Sequence, residues 1–186
     1  DNLQALSLGD LVAQNATLCS STSIKGLGVF SVAGLATLNA GSEISLMNAS
    51  NEINQITVAR ATKFDLFDNN GFTTVGLNVT NDINLRSSGG IILSTSCTTD
   101  CNNIQGVNTK NLKVQSDASV TVAKSIVATD SINIESQGLI INDSITSKQF
   151  TLNALNGKLV LTESGNLLGQ EGTGIELTAN SIEQRS

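Results

Sequence analysis

The chain has 186 residues and a net charge of −6, with ten Lys and Arg against sixteen Asp and Glu, and it contains no His, Pro, Trp or Tyr. That balance excludes a nucleic-acid partner, whose phosphates require clustered Lys and Arg, and it disfavours anionic membranes. No apolar run approaches the ~20 residues that a membrane-spanning helix needs, so no membrane insertion is expected. Hydrophobic residues make up 39%, enough for a folded core, whereas an aromatic share of 3% is low for a compact two-layer domain. The composition therefore predicts a narrow core, one side chain wide, filled by Ile, Leu, Val and Ala. Asn, Ser and Thr stand where charged residues usually would, and such side chains form ladders between stacked strands. The absence of Pro fits strands paired on both sides. Nothing before Leu3 reads as an export signal, so the expectation is that any such signal is removed or lies outside this sequence.

Residues 1–35 are the least regular. Leu3, Leu6, Leu8, Leu11 and Val12 suit a strand pair or one amphipathic turn. Gly26 to Gly34 (GLGVFSVAG) reads as a glycine-bounded strand; no helix or basic residue follows to make it a phosphate loop. From Ala36 onward short alternating runs recur, separated by Asn, Asp, Ser and Gly. Between Asn111 and Leu161 they fall into three interleaved series. Leu112, Ile132 and Phe150 form one, Val120, Leu139 and Leu159 the second, Ile126 and Ile145 the third, all with steps of 18 to 20 residues. One period shared by three strand series is the mark of a solenoid. The prediction is a single all-β domain over 1–186, a parallel β-helix with about three short strands per coil. Residues 1–35 would be less regular coils or a cap, and 36–186 the regular repeats. Dividing the length by the period gives about nine coils and a rod on the order of 40 Å.

Three segments carry a family resemblance: ISLMNASNEI at 44–53, FDLFDNNG at 64–71 and LNVTNDINLRSSGGI at 77–91, with a looser echo in SINIESQGLIINDSI. They resemble the repeats of bacterial filamentous haemagglutinins, the large exoproteins of two-partner secretion systems, and of related autotransporter adhesins. The resemblance covers most of 36–180. It implies a right-handed parallel β-helix, an extracellular or cell-surface location, and a role in adhesion through a host or bacterial surface receptor or glycan. Those families begin with a secretion domain carrying Asn-Pro motifs. This chain has no Pro, so it looks like shaft.

Few residues point to chemistry. Cys97 and Cys101 are spaced C-x3-C. This is neither a zinc-ribbon nor a thioredoxin spacing, there is no His, and Cys19 is the one other thiol. A loop-closing disulfide between Cys97 and Cys101 is expected on an exported chain, with Cys19 buried as a small apolar side chain. Asp65, Asp68, Asn69, Asn70 and Gly71 suggest a calcium loop by composition, but their spacing suits an Asn-Gly turn better. Phe64, Phe67 and Phe72 flank it as core plug and lip. A polysaccharide-active enzyme would need converging carboxylates. Asp117, Asp130, Glu135 and Asp143 instead fall at about one per strand. No catalytic residue, metal ligand or cofactor is assigned. Asn15, Asn48, Asn78 and Asn142 begin glycosylation sequons, which chance also explains in so Asn-rich a chain. The expected function is a structural or adhesive shaft. A self-assembling filament subunit and a polysaccharide lyase or glycosidase are the alternatives. Alternation persists at Ile175, Leu177 and Ile182 without a capping helix, so end-to-end association or further coils are expected there.

Overall fold

The computed structural model describes residues 5–94 and 107–185. Those residues contain no helix and form fifteen strands in one continuous sheet. The early strands are short: β1 (Leu6–Leu8), β2 (Leu11–Ala13), β3 (Ala16–Ser20) and β4 (Ile24–Gly26). They are followed by β5 (Phe30–Ala40), β6 (Glu43–Leu46), β7 (Glu52–Asp68), β8 (Gly71–Ser87) and β9 (Gly90–Leu93). The second half comprises β10 (Val107–Ser116), β11 (Ser119–Val122), β12 (Ile126–Ser136), β13 (Gly138–Ile141), β14 (Ile145–Leu161) and β15 (Leu167–Gln184). Every pairing is parallel and links residues one coil apart. The chain is a parallel β-helix.

Three walls of stacked side chains build the core. On the first wall Leu6, Ile24, Ile44, Phe64, Ile83, Leu112, Ile132, Phe150 and Ile175 lie in register, one above the other. Nine positions make eight turns. The second wall stacks Phe72, Ile91, Val120, Leu139, Leu159 and Ile182. The third stacks Leu18, Leu38, Val58, Leu77, Val107, Ile126, Ile145 and Leu167. All three series expected from the sequence appear, each step in the expected register. Eight turns replace the expected nine because two steps are long. Ile83 to Leu112 takes 29 residues, which include the undescribed 95–106, and Phe150 to Ile175 takes 25. In the second of these an extra stretch at Gln170–Thr173 shifts the β14–β15 register between Ser147 and Gln149.

The expected strand bounded by Gly26 and Gly34 differs in detail. The strand β5 begins at Phe30 and continues to Ala40, with its register to β7 shifting between Val32 and Leu35. Gly34 sits at a bend where Asn15 comes so close that a Cβ would collide with its side chain. The Asn15 carboxamide oxygen accepts the Leu35 N–H at 2.9 Å, so the bend is fastened by the coil below rather than by a free turn.

Inward side chains are almost wholly apolar, and between Ile24 and Leu159 nearly all are shielded from water. A coil cannot bury its own core, so each depends on its neighbours. Truncating Ile132, buried between Leu112 and Phe150, is expected to cost about 3 kcal/mol as Ile132→Ala. Val127→Ala, on the outer side of the same strand and 40% exposed, should change stability by less than about 0.5 kcal/mol. Urea denaturation of both variants checks the assignment of inside and outside.

Candidate functional site

At the corner after the first wall, buried polar side chains fasten the turns. Asn51 accepts the Phe30 N–H at 2.8 Å through Oδ1, and its Nδ2 donates to the Leu46 and Phe67 carbonyls at 3.0 Å. One coil on, Asp68 does the same work with a carboxylate. Its Oδ2 accepts the Ile53 N–H at 2.7 Å, and its Oδ1 accepts the Asn70 and Gly71 N–H groups at 2.9 and 2.7 Å. Ser87 and Ser116 continue the column in register with Asp68. The Ser87 Oγ accepts the Gly89 N–H, and Ser116 Oγ donates to the Gly89 carbonyl while accepting the Ala118 N–H. Short side chains that bond to nearby backbone are well suited to such corners.

This geometry decides between the two readings of DLFDNNG. The Asp68 carboxylate turns inward and its oxygens are taken by three backbone donors, so it is a turn fastener and not a ligand facing a cation. Gly71 supplies the positive φ of 96° that the Asn-Gly reading requires. Burial raises the Asp68 carboxyl above its ordinary range, against the lowering effect of the three N–H donors. Among the described residues no group of three His, Cys, Asp or Glu is placed to hold a metal ion.

Phe64 and Phe72 are core residues, as expected of a plug. Phe67 lies outside, with the Arg86 guanidinium over its ring at 4.8 Å from the centroid. Nothing in the sequence pairs these two until the register is known, because they are 19 residues apart on adjacent coils.

The candidate carboxylates do not meet. Asp117 is exposed in the turn between β10 and β11. Asp130 lies between Lys110 and Lys148 at 3.5 and 3.3 Å. Glu135 lies near the end of β12 on the outer side, and Asp143 accepts the following Ser144 N–H at 2.7 Å in the turn before β14. Of the four sequon residues, Asn15, Asn48 and Asn78 each bond to backbone. Asn48 does so within its own turn, and the other two reach a neighbouring coil.

Cys97 and Cys101 lie outside the described residues. Cys19, expected to be buried, is exposed. The reason is strand alternation: Leu18 takes the inward position of β3, so its neighbour must face out, in register with Asn39 and then Arg60. The burial expectation rested on residue type rather than on phase.

The outer side of the first wall carries a polar ladder that composition suggested but could not place. Glu43, Lys63, Asp82, Asn111 and Ser131 stack in register. Lys63 reaches Glu43 at 3.8 Å and Asp65 at 2.7 Å. Asn84 donates to Asp65, Asn111 to Asp82 and Ser131 to Asn111, at 2.7, 2.9 and 2.8 Å. The hydrogen bond and charge of Asp65 raise the Lys63 ammonium above its ordinary value.

A family model described as repeats of unknown function (DUF5649) matches residues 1–60. The match extends repeat character into residues 1–35, which looked least regular by pattern alone. No curated protein and no solved structure matches the chain. No helix among the described residues is long and apolar enough to cross a membrane.

The corner fastener gives a test. Asp68→Ala strands three backbone N–H groups and should cost about 2 kcal/mol at neutral pH. The raised carboxyl sets the sign of the pH dependence. The folded chain takes up this proton at a higher pH than the unfolded chain, so the stabilisation is complete below the unfolded value of 3.8 and is lost as pH rises through the folded value. The difference between the parent and Asp68→Ala should therefore widen as pH falls from 7 towards 4. Thermal melts across that range that converge instead would contradict the assignment.

Proposed function

We propose that this chain is a non-catalytic shaft or binding segment of a bacterial surface adhesin or extracellular fibre. The observation that carries the reading is the outward ladder on the first wall. Its charges and amides bond from coil to coil, as Asn111 to Asp82 and Ser131 to Asn111, and so brace a rod. Each exposed pair contributes little by itself, yet together they commit the polar side chains of a wall to stiffness. The scatter of Asp117, Asp130, Glu135 and Asp143 over separate turns and strands suits the same reading better than a polysaccharide-cleaving one. The resemblance of residues 44–53, 64–71 and 77–91 to filamentous haemagglutinin repeats supports it further, and with it an extracellular location and a receptor or glycan partner.

The labelled chain is expected to bind epithelial or bacterial cells saturably, and to release no reducing ends or unsaturated sugars from a panel of polysaccharides. Turnover of any of these, or cell binding that never saturates, would contradict the reading. The expected disulfide belongs to the same exported setting. Mass spectrometry of the unreduced, alkylated chain should find Cys97 joined to Cys101 and Cys19 alone alkylated; free thiols at 97 and 101 would count against export.

One observation favours the filament reading as a second. Ile175 and Ile182 continue buried columns yet are 52% and 54% exposed, and the outer edge of β15 pairs with no other strand among the described residues. Such an edge accepts a further coil, from a longer chain or from a second copy stacked head to tail. Sedimentation at rising concentration should show rods that lengthen, and Ile175→Lys with Leu177→Lys should abolish the growth. Rods that stay monomeric would remove the filament reading and leave the shaft.

A further inference from the structure

The second wall carries a shallow channel that runs along the axis of the solenoid. Two contiguous hollows of about 350 and 270 Å³ share Asn54, Asn70 and Gly71. One continues over Thr73, Ile92 and Thr121, the other over Ser31, Ala33 and Glu52. These residues come from five successive coils. The channel therefore spans four coil steps, roughly 19 Å at about 4.8 Å per step.

Its shape is set residue by residue. Thr73, Ile92 and Thr121 lie in register and form one bank. Gly71 and Gly90, also paired in register, form the floor beside them, and Ser119 carries it one coil further. Gly71 is required by the backbone, because its φ is positive and a Cβ would strike the Gly90 carbonyl. Gly90 is different. Its φ is ordinary, and a Cβ there would stand 3.3 Å from the Ser119 carbonyl oxygen, so the Ser119 backbone would have to give by a few tenths of an ångström. Gly138, paired with Ser119 on the next coil, has 3.8 Å of room. Packing does not demand glycine at Gly138, and at Gly90, which lines the channel, the missing side chain leaves the floor bare.

The chemistry of the lining selects among ligands. It offers carboxamides, hydroxyls and peptide groups, with Glu52 as its one charged side chain. Without a Lys or Arg, and on a chain of net charge −6, it repels anionic polymers. The channel is shallow and open along its length, so it does not enclose a lipid chain. Ile92, 43% exposed, gives the bank an apolar strip between hydroxyl groups. A neutral sugar chain alternates in the same way, with hydroxyls that donate and accept and with apolar C–H faces. One coil step is also close to the length of one pyranose unit.

We propose that this channel binds a neutral, unbranched oligosaccharide lying along the solenoid axis, with successive sugars over successive coils. The proposal rests on the adhesive reading above and gives it a ligand class and a place. The test uses the 186-residue chain, isotopically labelled, titrated with cellotetraose and with maltotetraose, and with tetragalacturonate as the anionic control. One of the neutral sugars should shift the amide signals of Asn54, Thr73, Gly90, Ile92, Ser119 and Thr121, and the anionic control should not. Gly90→Val should weaken binding at least tenfold by filling the floor. Thr73→Val with Thr121→Val should do the same by removing hydroxyls while keeping shape and strand preference, and this pair decides the matter if Gly90→Val does not fold. No response to any sugar at millimolar concentration, equal response to the anionic control, shifts on another wall, or unchanged affinity in the variants would each overturn the channel. Cell binding that survives the variants would overturn the channel alone and leave the shaft. Loss of the cell binding of the parent chain, with sugar binding retained, would do the reverse.

Discussion

Each residue in a strand between the end coils has to fit the one directly above it and the one directly below. Parallel strands in register place like beside like at about 4.8 Å, and the rest follows from that constraint. Inside, apolar side chains must stack on apolar side chains, and the first wall does so with Leu, Ile and Phe alone from Leu6 to Ile175. Phe64 and Phe150 show that a ring is accepted where the neighbours are aliphatic. At the corners a buried backbone group left by one coil must be met by a side chain of the next. Asn51 and Asp68 meet that need with different head groups, amide and carboxylate, on consecutive coils. The carboxylate carries the cost of burial, offset by three N–H donors and reflected in its raised proton affinity.

How much of this was legible in the sequence depends on whether a residue acts through the period or through the register. The columns were legible, because alternation gives the inside of each strand and the repeat gives the coil. Leu112, Ile132 and Phe150 stack as their spacing implies. Contacts between outward residues were not, since they need the register to the residue: Arg86 over Phe67 and Asn111 on Asp82 are invisible until coils are aligned. The exposure of Cys19 could have been read from its phase beside Leu18, and residue type was the poorer guide. The number of turns was overestimated because a repeat length says nothing about where a coil takes on extra residues, as β15 does at Gln170–Thr173. The candidate site was the least legible part. The channel on the second wall arises from Thr73, Ile92 and Thr121 falling in one line beside Gly90 and Ser119, and those residues are scattered through the sequence.

The same constraint bears on function. On a solenoid wall side chains stand at equal intervals, and their partners come from the coils above and below. Asp130 illustrates the outcome, held between Lys110 and Lys148 rather than beside a second carboxylate. A surface of this kind is matched to partners that are themselves periodic, or to being a spacer. The shaft reading and the channel reading both draw on that property: the ladder on the first wall turns repetition into stiffness, and the channel on the second turns it into repeated hydrogen-bonding positions.

The in-register parallel stack is the feature on which all else rests, and nuclear Overhauser contacts between backbone protons address it most directly. Contacts are expected from Leu112 to Ile132 and from Ile132 to Phe150 on the first wall, together with Val120 to Leu139 and Leu139 to Leu159 on the second. Antiparallel contacts between neighbouring segments, such as those of a hairpin joining 112–116 to 119–122, would contradict it.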